Sequence, residues 1–233
     1  MQDGGTHEAH DRSIGIVRVG GVAVLFGLAI HIVTNMFLKE YPTPGLAGAD
    51  LEAYLASEAD MWALIHGAKT LAFPCLAVFY AGMFARTSVG RDAVAVGWGV
   101  VGLVGGAMHV TNVMMVNAIE TFAFMPSAGL SDEQFWLLFD VTGVLFTAEI
   151  IAWAIAMFGF SMAGRRSRTL PLWLSALGFV SAAGGVAAGA GIVSVLTEGP
   201  AVVALAVAAL CGLAWFLASG VLLLIRGGDG GVR

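Results

Sequence analysis

The chain has 233 residues, 58% of them hydrophobic and 12% charged, against about 25% charged in an ordinary soluble domain. A net charge of -5 with only 11 Lys+Arg excludes a basic nucleic-acid binder, and 32 glycines spread through apolar runs exclude a disordered or collagen-like chain. Lipid is therefore the solvent for most of this protein, so membrane lipids are expected partners and nucleic acid is not. The expected fold is all-α: a single membrane domain, 1–233, built as a polytopic bundle of six transmembrane helices.

The polar start, residues 1–13, reads as a tail rather than a signal peptide, because the apolar run behind it is too long and lacks a small-residue cleavage site. Apolar segments follow at about 15–38, 60–85, 93–118, 135–162, 171–196 and 200–226, each reaching the ~20 residues that cross a bilayer. Arg12 and Arg18 precede the first; Arg86 and Arg91 join the second to the third. Arg165, Arg166 and Arg168 join the fourth to the fifth, and Arg226 and Arg233 follow the sixth. The alternate connections are acidic: Glu40, Asp50, Glu52, Glu58 and Asp60, then Asp132 and Glu133, then Glu198. This Lys/Arg bias predicts a multi-pass protein of the cell membrane with both termini cytoplasmic, including the tail 227–233.

The outer loop 39–59 opens on turn residues and continues into Leu51, Tyr54 and Leu55, spaced as one face of a short amphipathic helix lying on the outer surface. Ser131 with Gln134 predicts a capping box opening span four, and Ser57 with Asp60 predicts one for span two. Trp62, Trp136 and Trp173 fall near span ends, where aromatic belts lie. Gly102 and Gly106 in span three, and Gly178, Ser181, Ala182, Gly185 and Gly189 in span five, predict close helix seams within the monomer or in a homo-oligomer. Cys75 and Cys211, inside apolar runs, read as small hydrophobes.

Ionisable and polar groups are costly inside a membrane, so each marks a functional hypothesis. Spans one to four carry His31, Asn35, His66, Lys69, His109, Asn112, Asn117, Asp140 and Glu149, whereas spans five and six carry only Ser and Thr. A rise of about 1.5 Å per residue puts His31, His66 and His109 at one level, roughly 9–14 Å below the outer end. On each helix face a polar neighbour accompanies the imidazole: Asn35 beside His31, Lys69 and Thr70 beside His66, Asn112 beside His109. Asp140 and Glu149 are nine residues apart and face opposite ways, so at most one reaches a shared site.

Three imidazoles with a carboxylate suit a transition metal, Zn, Cu or Fe, held by His31, His66 and His109. Asn35, Lys69, Thr70 and Asn112 would then orient the ligands. Two histidines on facing helices would instead hold a haem. A second expectation is a membrane enzyme in which a histidine and Glu149 or Asp140 act as acid and base on a lipophilic substrate. The third is that each histidine is structural and bridges to a neighbouring helix. Transport is disfavoured, because the polar groups do not continue through the cytoplasmic half. Lys69 is expected to snorkel outward or to pair with Asp140 or Glu149. Met108, Met114, Met115 and Met125 read as adaptable packing before copper ligands, and His7 and His10 as part of a solvated tail.

The passages AYLASEADMWALIHGAKTLAFPCLAVFYAGMF and EQFWLLFDVTGVLFTAEIIAWAI resemble a group of uncharacterised six-span bacterial membrane proteins. In these a Trp and a His begin the second span and acidic residues mark the fourth. Trp62, His66, Asp140 and Glu149 carry the likeness, which implies topology and no activity. One departure is that His109 and Asn112 occupy the third span where the resemblance leads one to expect an acidic residue.

Overall fold

The computed structural model describes residues 4–37, 41–42, 45–88, 91–125, 128–197 and 199–226, of which 4–14, 196 and 226 are described by backbone alone. The helices are α1 (Gly4–Met36), α2 (Ala49–Ser88), α3 (Ala93–Ala123), α4 (Asp132–Ser167), α5 (Leu172–Ala190), α6 (Ile192–Leu196) and α7 (Ala201–Arg226). Six of them are long and apolar enough to cross a membrane, and no strand occurs among the described residues. In hydrocarbon every backbone N–H and C=O must be satisfied internally, which a helix does within one segment. The chain is thus an all-α, six-span bundle, as its hydropathy predicts.

Element limits differ from the sequence reading in several places. Residues 4–13, expected as a tail, are the first turns of α1. The surface helix expected in the outer loop does not stand alone. Helix starts at Ala49 and runs unbroken into span two for 40 residues, about 60 Å at 1.5 Å per residue. Leu51 packs with Trp62, Ala123, Phe124 and Phe135 in a small aromatic core at this end of the bundle, so burial continues the helix where sequence suggested a turn. Ser57 consequently sits mid-helix and donates to the Tyr54 carbonyl at 2.9 Å instead of capping. Span five stops at Ala190, and Gly191 sets off the short α6.

The predicted capping box is present: Ser131 Oγ accepts from Gln134 N–H, and Gln134 Oε1 accepts from Ser131 N–H at 3.0 Å. Asp92 caps α3, accepting from the Val94 and Ala95 N–H groups at 3.0 Å each. Trp62 lies in the aromatic core at 1% exposure, not in a belt, whereas Trp173 is exposed.

Each long helix packs on its neighbours in sequence, and α7 returns to α1, giving the order α1–α2–α3–α4–α5–α7 around the bundle. The glycine seams are used within the chain. A Cβ on Gly159 would run into the backbone of Gly102, and one on Gly106 would lie 2.6 Å from the Tyr80 ring. Gly185 faces Ala154 and Ile150 of α4, and Gly189 faces Ile151. Phe79, Tyr80, Met83, Met157, Phe160, Trp215 and Phe216 fill the centre of the bundle toward its arginine-bearing end.

Candidate functional site

On α2, residues three and four apart bring Trp62, His66, Lys69, Phe73, Leu76 and Tyr80 onto one stripe. On α3 the same register aligns Gly106, His109, Val113, Asn117 and Glu120. These two stripes face each other and, with Glu149 of α4, make two histidine–carboxylate pairs at different depths.

The pair near the acidic end is built on His66, whose side chain is fully buried. Asn117 Nδ2 donates to the His66 carbonyl at 3.3 Å and to Thr70 Oγ1 at 3.0 Å. The Thr70 hydroxyl itself donates to the His66 carbonyl at 2.9 Å. Both groups facing this amide nitrogen are therefore acceptors, which fixes the amide orientation and turns Asn117 Oδ1 toward His66 Nδ1 at 2.8 Å. Nδ1 must carry the proton. The opposite nitrogen, Nε2, has no hydrogen-bond partner among the described residues and stands 3.9 Å from Glu120 Oε2. Tyr41 donates to Glu120 Oε1 at 3.4 Å and packs its ring on Trp62, centroids 5.1 Å apart. Desolvation in this aromatic setting and the adjacent Glu120 carboxylate push the Tyr41 phenol above its ordinary range, although 39% of the residue stays accessible.

His109 forms the deeper pair. It lies eight residues before Asn117 on α3, about 12 Å along the axis. Its Nδ1 is 2.8 Å from the Tyr80 hydroxyl, and its Nε2 is 3.7 Å from Glu149 Oε1. Trp153 stacks on the imidazole, with planes 13° apart and centroids 6.2 Å apart. A buried hydroxyl requires an acceptor. Tyr80, at 1% exposure, finds it in Nδ1, which leaves the proton of a neutral His109 on Nε2, facing Glu149.

A cavity of about 140 Å³ opens beside this pair, lined by α1, α2, α3, α4 and α7. Its titratable lining is His31, His109 and Glu149; Leu28, Phe73, Leu76, Val113 and Phe216 supply apolar wall. His31 is exposed at its mouth. Lys69 lies one turn below His66 and one turn above Phe73 on α2, at a register between the two pairs.

The structure thus divides the expected ligand set. His31 and His109 line one cavity with Glu149, while His66 belongs to a separate layer. The common level expected for all three fails because α3 runs past 118 to Ala123, so that His66 meets Asn117 and His109 lies eight residues deeper. Among the described residues, no group of three or more His, Cys, Asp or Glu is placed to hold a metal ion. Of the two acids in span four, Glu149 reaches the site; Asp140 is exposed. Thr70 does orient His66, through Asn117. Asn112 instead donates to the Met108 carbonyl of its own helix at 3.0 Å, and Asn35 is exposed. Met108, Met114, Met115 and Met125 point outward, each 44% to 48% exposed. The side chains of His7 and His10 lie outside the described residues.

Sequence reasoning overlooked Glu120, Tyr80 and Tyr41 and left Asn117 without a role. Ending span three at 118 excluded Glu120, yet α3 continues to Ala123 and carries it. No protein-family model, curated protein or solved structure matches this chain.

Proposed function

We propose that this integral membrane protein binds a lipophilic small molecule with its polar group at His109 and Glu149, and that this pair exchanges a proton with it. One observation carries the reading: an otherwise apolar cavity inside the bundle ends on a histidine whose tautomer Tyr80 fixes, next to a carboxylate. Such a setting suits general acid–base work, because the imidazole N–H and the carboxylate stand on one cavity wall in a medium poor in water. A space near 140 Å³ admits one small ring or a short chain segment, so the rest of the ligand extends past His31 toward lipid. The arginine bias supports placing both termini in the cytoplasm of a cell whose plasma membrane holds the protein. The cavity then opens in the outer half of the bilayer.

Mass spectrometry of organic extracts from the purified protein tests this reading. A stoichiometric lipophilic compound is expected in the wild type, reduced at least tenfold by Glu149→Gln and by Leu28→Trp, which fills the cavity. An equal amount in Leu28→Trp, or none in the wild type, overturns it. Elemental analysis and an absorption spectrum of the same sample report metal or haem, and stoichiometric loading of either would return the histidines to the ligand roles first expected.

A further inference from the structure

We infer that the ligand of the cavity is a lipid-tailed phenol whose ring hydroxyl sits between His109 Nε2 and Glu149. The inference rests on the proposed acid–base role of this pair and names the chemical class that fits it. Both residues line the cavity, with 8% and 19% of their side chains accessible. Nε2 stands 3.7 Å from Glu149 Oε1, too far for a hydrogen bond between the two and close enough for one oxygen atom to reach both at about 2.8 Å. An atom placed there meets the Nε2–H donor, whose tautomer Tyr80 fixes, and a carboxylate acceptor. A ligand that satisfies both must accept and donate through one atom, which is what a hydroxyl does. An ammonium only donates and would leave the imidazole N–H unpaired. A carbonyl or an ether only accepts and would leave the carboxylate opposed to a second acceptor. A second carboxyl would set two carboxylates together, each disfavouring the charge of the other.

Two observations choose among hydroxyls. Proton exchange with a carboxylate needs an O–H acidic enough to give its proton up; a phenol titrates near 10, as the tyrosine side chain does, whereas an alkanol is far less acidic. The cavity wall is the second. Phe73 of α2, Trp153 of α4 and Phe216 of α7 line it. Trp153 lies 13° from the plane of the His109 imidazole and 22° from that of Phe216, and aromatic faces so arranged favour a flat ring in offset or edge contact. The volume of about 140 Å³ is also that of a ring, since an apolar cavity of about 150 Å³ takes up benzene. In the exchange, the phenolic O–H bond breaks and an O–H bond forms on Glu149. The electron pair stays on the phenolate oxygen, where the His109 N–H stabilises it, and the reverse step restores the phenol. No redox partner takes part.

Isothermal titration calorimetry of the full-length protein in detergent tests this with 4-butylphenol and three relatives. 4-Butylanisole has an oxygen that accepts but does not donate, 4-butylcyclohexanol keeps the hydroxyl without the aromatic ring, and butylbenzene has neither oxygen nor donor. 4-Butylphenol is expected to bind once per chain, roughly tenfold or more tightly than each of the others, because each lacks either the hydrogen bond to a charged group or the acidic O–H. Glu149→Gln should cut its advantage over 4-butylanisole to about threefold or less, and Leu28→Trp should abolish binding of all four. The wild-type series alone decides the class, so the inference stays testable if a variant fails to fold. Equal affinity for 4-butylanisole or 4-butylcyclohexanol overturns the phenol. So does an unchanged advantage in Glu149→Gln, or failure of 4-butylphenol to bind protein whose organic extract holds no phenolic compound. The reading beneath it fails separately: all four probes bound alike and lost in Leu28→Trp would leave a lipophile site of another class, whereas binding indifferent to Leu28→Trp would remove the cavity itself.

Discussion

Single hydrogen bonds decide the chemistry of both pairs. Removing the Tyr80 hydroxyl leaves His109 Nδ1 without its partner at 2.8 Å, and a buried unsatisfied group costs about 1–3 kcal/mol. Tyr80→Phe is expected to lower the unfolding temperature in detergent and to move the His109 proton from Nε2 toward a mixture of tautomers, read by imidazole nitrogen NMR; an unchanged Nε2–H signal would count against the assignment. At the opposite end Asp92 acts in the open. The Ala95 N–H, followed by the Arg166 guanidinium and the Val94 N–H, holds its carboxyl below the usual carboxylate range despite an opposing desolvation effect. A depressed folded-state value means that the cap's stabilisation is complete above the ordinary range, near 4, and fades as pH falls through it. The melting difference between wild type and Asp92→Ala is therefore expected to be constant from pH 7 to 5 and to shrink below about 4. Because the Arg166 pair is half exposed, most of that difference comes from the cap.

At the scale of elements, glycine spacing sets how near the stripes of α2, α3 and α4 come together. Gly106 leaves room for the Tyr80 ring, which in turn reaches His109 one turn further on. Gly106→Ala would put a Cβ 2.6 Å from that ring, and overpacking of this kind costs about 1–3 kcal/mol. The expected result is a lower melting temperature together with reduced ligand content. Gly97 on the same helix faces open space, so Gly97→Ala should leave both unchanged or raise stability by up to about 1 kcal/mol. If the two variants behave alike, the seam does not position the site. The Gly102 and Gly106 spacing was legible in the sequence because four-residue periodicity is local, as was the Ser131 capping box. The pairing of His66 with Glu120 was not, because it depends on where two helices end. Polarity alone stopped span three at 118, while Ala123 and Phe124, packed on Trp62 and Phe135, carry the helix onward. Tyr80 is core at 1% exposure, yet its hydroxyl finds a histidine 29 residues away, a contact set by helix packing that no local pattern encodes.

For the whole molecule, the division of polarity follows from the ring of six helices. Five of them contribute side chains to the cavity, and the chain carries its ionisable spanning residues on α1 to α4 only. α5 and α7 supply small and aromatic residues that fill the remaining interior; Trp215 is fully buried and Ser181 donates to the Ala208 carbonyl at 2.8 Å. Sequence made this asymmetry visible, since the cost of burying charge in lipid confines it to where protein surrounds it. It did not reveal the aromatic closure, because Phe79, Phe160 and Phe216 look the same whether they face lipid or one another. That closure has a measurable consequence. Water and protons entering at the acidic end meet a packed barrier below His109, so the protein should be sealed to flux. Proteoliposomes with an entrapped pH dye, acidified outside, are expected to leak protons at the rate of empty liposomes. Met83→Ala with Phe160→Ala, which removes two fully buried side chains from the closure, should raise that rate if the bundle survives, as circular dichroism would report. A wild-type leak well above empty liposomes would mean that the aromatic layer is not a barrier, and would revive a transport path through the bundle.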